Sequence, residues 1–292
     1  MLDVELDSHF VEEVNVYVDY REGAAKSSDE EVEQQRCVAI ARPQLTLDKV
    51  LDGMSKNGGY DNRDLKLKFS AKICSVLRLI GKALRHLHLS GVVHGNVCME
   101  TCGKFEDSWK LLERLEVQAI GKPFDPTRFR HAFPPESLEL SAEQDDMIYD
   151  SDSAAITFKK DMTSEISIDV WMFGAICYES LVGRPLIEFD TSNESPSDDV
   201  VALLQTLEWD ESNMESVFKD ILESGLEESG ADMITSCLFP LPEQRPSNMD
   251  EILENPFWKE IRRHRSKKKR RGGGSTESSK SLLTDNQELY EI

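Results

Sequence analysis

Gly91-Val-Val-His-Gly-Asn-Val-Cys-Met-Glu-Thr101, the stretch GVVHGNVCMET, gathers four side chains able to do chemistry or to hold a loop: His94, Asn96, Cys98 and Thr101. It follows the strongest helical pattern in the chain. Leu65, Phe69, Ile73, Val76, Leu77, Ile80, Leu84 and Leu87 fall at helical spacing, which predicts a helix over 64–89 with one apolar stripe. Asp64 is placed to cap its start and Gly91 to end it. A loop so rich in polar groups, directly behind a buried helix, is where a fold carries a site.

Upstream, LTLDKVLDGMSK (45–56) reads as a short helix, with Thr46 as cap and Gly58-Gly59 as stop. FVEEVNVYVDY (10–20) alternates in part and reads as a strand; RCVAIA (36–41) reads as a second, stopped by Pro43. The acidic stretch between them, 21–35, reads as a solvated loop. Downstream, SWKLLERLEV (108–117) reads as two short strands around a turn. Residues 139–165 are acidic without a period, and hold Tyr149, Ser151 and Ser153 among carboxylates. SIDVWMFGAICYESLVG (167–183) is apolar nearly all round, so it belongs in a core. Helical patterns return at 199–208, 214–224, 227–238 and roughly 247–259, with Phe257 and Trp258 as core contacts closing the last one. Residues 272–281 have the composition of a flexible linker.

The chain has 292 residues, 39% hydrophobic and 30% charged, with a formal charge of −21. RRHRSKKKRR (262–271) holds eight Lys/Arg, so the rest carries −29. Such acidity argues against nucleic acid as a partner of the body. The basic run suits an importin-like carrier or another anionic partner, or attraction to the chain's own acidic surface. It lacks the interleaved aromatics that stack on single strands. The six cysteines form no CxxC pair; they suit reduced thiols inside a cell, in cytoplasm or nucleus. Cys98 and Cys102 sit four apart without the His or Cys pair that a zinc site needs. No run approaches a membrane span.

Three further motifs fix the resemblance: Pro134-Pro135-Glu136, then Asp169-Val-Trp-Met-Phe-Gly174, then Arg245-Pro246 in EQRPS. In that order around the His94 loop, they resemble the C-terminal lobe of a eukaryotic protein kinase with its hinge, over roughly residues 36–258. The closest likeness is to divergent members whose loop reads His-Gly-Asp. The resemblance implies an α+β, mainly helical, protein-kinase-like fold. Its C-lobe would be largely complete over 42–260. Its N-lobe would be reduced to a few strands in 1–41, and 261–292 would be a basic and then flexible tail. It further implies that His94 is structural, that Glu136 and Arg245 form a buried ion pair, that Asp169 accepts hydrogen bonds from the 94–96 loop backbone, and that Gly174 permits close helix packing.

The same resemblance shows what is replaced. Kinase chemistry needs a loop Asp as base, a Lys, an Asn on one magnesium and an Asp on the other. Asn96 stands at the base, and an amide takes no proton. Cys98 stands at the lysine and Thr101 at the asparagine. After Trp109-Lys110-Leu111-Leu112, Glu113 stands at the metal Asp, followed by Arg114 and Leu115. Residues 1–35 hold one lysine, Lys26, and no Gly-x-Gly-x-x-Gly. The expectation is a catalytically inactive pseudokinase, a signalling scaffold or allosteric module for a protein partner, with ATP and magnesium bound only if residual affinity survives. Two alternatives stand beside it. One is an active or weakly active ATP-dependent Ser/Thr kinase with divergent motifs or an N-terminus that starts too late. The other is a fragment without a stable fold.

Overall fold

The computed structural model describes residues 42–259 apart from 57, 59, 61–62, 107, 113–116, 130–131, 142–154 and 189–198. The expected strands at 10–20 and 36–41, the N-lobe remnant, Glu113 and the tail from 261 onward lie outside these. The described part is α+β and mainly helical.

The chain enters through β1 (Leu45–Thr46) and α1 (Leu47–Lys56). Thr46 ends the strand and stands immediately before the first helical residue, at the N-cap position expected for it. Leu47, Val50, Leu51 and Met54 form the buried stripe of α1, the i, i+3, i+4, i+7 set that one helix face requires. α2 (Arg63–Leu89) follows; Ile73, Leu77, Ile80 and Leu84 along it are fully buried. It begins at Arg63, so Asp64 lies inside the helix. Gly91 ends it with φ 76°, and its N–H reaches His88 O at 3.0 Å.

Of the two strands expected within 108–117, the first is present, and the turn and second strand fall largely on residues outside those described. β4 (Ser108–Leu111) pairs antiparallel with β3 (Cys102–Phe105), upstream of it, and β3 pairs with β1. Trp109 and Leu111 are buried; their alternation identifies a strand but does not name its partner. β2 (Val92–Val93) pairs with β5 (Gln118–Ala119). The two small sheets thus hold the His94 loop between them.

Residues 139–165 also differ from expectation. β6 (Leu138–Ser141) and β7 (Ala155–Phe158) form an antiparallel hairpin, too short for a period to show through the acidic residues.

α3 (Ile166–Val182) is the axis of the core. Every residue from Ile168 through Tyr178 is buried, as its unbroken apolar sequence requires. Gly174 brings it against α6 (Glu228–Cys237): a Cβ there would stand 2.6 Å from Cys237 Cβ. α4 (Val200–Leu207) and α5 (Glu211–Glu223) precede α6, and Asp210 caps α5 by accepting from Ser212 and Asn213 N–H. α7 (Met249–Glu254) stops short of the expected 259. Asn255 precedes Pro256 and takes an extended ψ of 138°, as proline imposes on its predecessor. Phe257 and Trp258 are buried beyond the break. Among the described residues, no helix is long and apolar enough to cross a membrane.

Candidate functional site

The His94 loop is built around one carboxylate. Gly95 adopts φ 71°, a left-handed conformation open to glycine without strain. This turn aims two consecutive backbone N–H groups at Asp169, in the first turn of α3. His94 N donates to Asp169 Oδ2 at 2.8 Å, and Gly95 N donates to Oδ1 at 2.8 Å. His88 Nε2 lies 2.9 Å from Oδ2. Asp169 is fully buried, and these contacts take the place of its water shell.

His94 is used at both ring nitrogens. Nε2 lies 2.9 Å from Leu112 O, and the Asn96 N–H points at Nδ1 at 3.3 Å. A carbonyl only accepts, so Nε2 carries the proton and Nδ1 is the acceptor. The ring ties the loop to the end of β4 and leaves no nitrogen for chemistry.

The three positions that the sequence resemblance maps onto phosphoryl transfer face inward. Asn96, Cys98 and Thr101 are 2%, 3% and 0% exposed. The Asn96 amide nitrogen is buried without a hydrogen-bond partner among the described residues. The Thr101 hydroxyl accepts from Cys98 N at 3.0 Å and from Cys98 Sγ at 3.7 Å, and donates to Cys98 O at 2.8 Å. Asn96 O is a second acceptor for its proton at 3.3 Å; one donor and two lone pairs are all a hydroxyl has, so its capacity is spent within the loop. Burial pushes the Cys98 thiol up to about 12, and the Glu100 carboxylate adds to the effect. At the position the resemblance gives to a lysine, this chain carries a neutral thiol.

These residues do not fit magnesium. The ion needs oxygens free to turn toward it, and Thr101 has none to offer. Among the described residues, no group of three His, Cys, Asp or Glu is arranged to hold a metal. A cavity of about 70 Å³ lies against Cys98, lined by Asp48, Glu100 and Glu179 among others, with no Lys or Arg among the described residues of its wall. Those residues offer no positive charge to a phosphate.

Glu136 and Arg245 meet below the loop, Nη1 to Oε1 at 2.6 Å and Nη2 to Oε2 at 2.7 Å. The guanidinium lies over the Trp171 ring, 4.9 Å from its centroid. Trp171 Nε1 donates to Ala132 O at 2.9 Å, so α3 and the segment before Glu136 are fixed together. The structure thus brings together His94, Asn96, Cys98, Thr101 and Asp169 at the loop, and Glu136 with Arg245 at the base. Glu113, expected beside the loop, lies outside the described residues. His88 was not anticipated as a member of the Asp169 cluster. Its signal was its place on the apolar stripe of α2, four residues after Leu84.

The element order and these contacts make a mainly helical α+β lobe. No family model matches the chain, and no curated protein does. Among solved structures, a chain of the CAK complex of Chaetomium thermophilum, bound to ATP-γ-S, matches with a TM-score of 0.49 and 13% identity. The match covers 76% of this chain and 67% of that one. At that size it is a likeness alone, and the reading of the site stands on the contacts described above.

Proposed function

We propose that this chain is a catalytically inactive kinase-like domain, a pseudokinase that works as a scaffold or allosteric module for a protein partner. One observation carries the reading: Asn96, Cys98 and Thr101 form a buried, uncharged plug bonded within itself. A base must reach the hydroxyl proton it takes, and a metal ligand must reach the metal. Side chains turned into the core do neither. The lobe keeps the interactions that hold it together, Asp169 with the loop and Arg245 with Glu136, and these serve a binding surface as well as an enzyme.

The test is phosphoryl transfer from Mg-ATP by the full chain, together with its melting with and without Mg-ATP. A ligand that binds only the folded state adds about 2.7 kcal/mol at a hundred times its dissociation constant. The expected result is a cooperative melt, no magnesium-dependent shift and no transfer. Transfer that disappears in Asn96→Ala would overturn the reading.

A further inference from the structure

The β6–β7 hairpin, inserted between Glu136 and α3, has an edge with no partner strand among the described residues. Lys159 N donates to Ser137 O at 2.9 Å; Leu138 faces Phe158, Glu139 faces Thr157 and Leu140 faces Ile156. In an antiparallel ladder, pairs that exchange hydrogen bonds alternate with pairs that do not. Ser137–Lys159 is a bonded pair, so Glu139–Thr157 is the next. Phe158 and Ile156 therefore aim their N–H and C=O groups away from β6. Among the described residues, none of these four backbone groups has a partner.

That edge lines a groove of about 650 Å³ whose other wall is Pro123–Thr127. Phe124, Ile156, Phe158 and Leu203 make its lining largely apolar. Beyond Leu203 the apolar surface continues along α4, where Val200 and Val201 are 65% and 66% exposed. The rim is cationic. Lys159 and Lys160 line the groove, and exposed Lys122 precedes its first residue. Asp125 also lines it, but its carboxylate is turned onto Thr127, accepting from N at 3.1 Å and from Oγ1 at 2.6 Å. Asp161 stands exposed beside Lys160. On a chain with a net charge of −21, three lysines around an apolar groove are a local exception that selects carboxylates.

We propose that β7 accepts an added strand from a partner protein: an extended segment with alternate apolar residues, carrying carboxylates between them. The open backbone groups of Ile156 and Phe158 would pair with its main chain, the groove would take its apolar side chains, and the lysines would meet its acids. This rests on the reading of the lobe as a protein-binding module, and it names the surface and the chemistry of what binds there.

The experiment uses the full chain and three synthetic heptapeptides: Val-Glu-Val-Glu-Val-Glu-Val, the same peptide N-methylated at every residue, and Val-Lys-Val-Lys-Val-Lys-Val. Amide deuterium exchange over 155–160 and fluorescence anisotropy are read for each. The glutamate peptide should slow exchange at Ile156 and Phe158 by about tenfold or more. The N-methylated peptide, which cannot donate to a ladder, should not. Lys159→Glu/Lys160→Glu, with its melt checked against the parent, should weaken the glutamate peptide severalfold and favour the lysine one. Equal binding of the N-methylated peptide, indifference to the charge reversal, or no binding of the glutamate peptide would each overturn the proposal. So would amides already protected in the free chain, since the edge would then be covered by the chain itself. If the peptides fail and Mg-ATP transfer is also absent, the edge proposal falls while the scaffold reading stands.

Discussion

Arg245 uses all five of its N–H groups, and Glu136 takes two of them across 109 residues of chain. The other three go to backbone carbonyls: Nε to Phe239 O at 2.8 Å, Nη1 to Ser167 O at 3.1 Å and Nη2 to Pro240 O at 3.1 Å. The Arg245 side chain is fully buried, and that of Glu136 is 19% exposed. A lysine has three donors and no fork. Arg245→Lys keeps the charge but has three donors for five acceptors, and is expected to lose about 1–3 kcal/mol. Glu136→Gln should cost more, about 3–5 kcal/mol, since it leaves the buried guanidinium without its counter-charge and turns an amide NH2 toward its donors. Urea unfolding of the two variants measures the difference, and equal losses would contradict that order.

Asp169→Ala leaves the N–H groups of His94 and Gly95 and the ring of His88 without their acceptor in a dry site. At roughly 1–3 kcal/mol for each orphaned group, this substitution is expected to unfold the lobe at moderate temperature. Asp169→Asn keeps one acceptor oxygen and should retain a folded but weaker lobe. Circular dichroism melts of both test the ranking.

Restoring kinase residues should harm this chain. Cys98→Lys puts a longer side chain where 3% of the residue is exposed, against a cavity of only about 70 Å³ whose wall carries Asp48, Glu100 and Glu179. The expected loss is about 1–3 kcal/mol, from overpacking. Asn96→Asp with Thr101→Asn should yield no transfer from Mg-ATP. A stable, active triple variant would mean that the loop opens far more readily than its hydrogen bonds imply.

Cys74, Cys98, Cys102, Cys177 and Cys237 are all buried, and burial raises each thiol above its ordinary value. In the native chain they should resist a thiol reagent that labels them after unfolding. The pH dependence has a definite sign. An unfolded thiol ionises near 9.0, whereas Cys98 in the fold holds its proton to about 12. The unfolded state therefore binds fewer protons across that window, and stability falls as pH rises through it. Cys98→Ala should flatten that fall, measured as urea midpoints at about pH 8 and about pH 10.5. An unchanged slope would count against Cys98 as one of its sources.

Gly174→Ala should cost about 1–3 kcal/mol by overpacking, since the added methyl would meet Cys237 Cβ at 2.6 Å on a neighbouring helix. Cys237→Gly in the same chain should recover part of the loss, and a double-mutant cycle measures how much.

The sequence was most informative where one physical constraint acts alone. The stripe from Phe69 to Leu87 and the unbroken apolar run at 167–183 each mark a helix, because burial leaves no other arrangement. The polar residues of the site were readable as motif positions: Asp169 opposite the loop, Arg245 opposite Glu136. Their orientation was not. Nothing in GVVHGNVCMET says that Thr101 turns back onto Cys98 or that Asn96 faces the core; that follows from the fold around them. Strand pairing was the weakest point. Ser108–Leu111 alternates clearly, yet its partner at Cys102–Phe105 carries a glycine and a lysine and shows no pattern. The β6–β7 hairpin was hidden because four-residue strands among acidic residues have no period to detect.

The carboxylate that anchors the His94 loop is synthesised 75 residues after it. At ribosomal rates of about 5–20 residues per second, roughly 4–15 seconds separate the two. During that time α2 has been made, with its apolar stripe still uncovered by α3. A nascent chain in that state exposes the apolar stripe that α3 later covers, and the 75 residues between His94 and Asp169 set how long that exposure lasts.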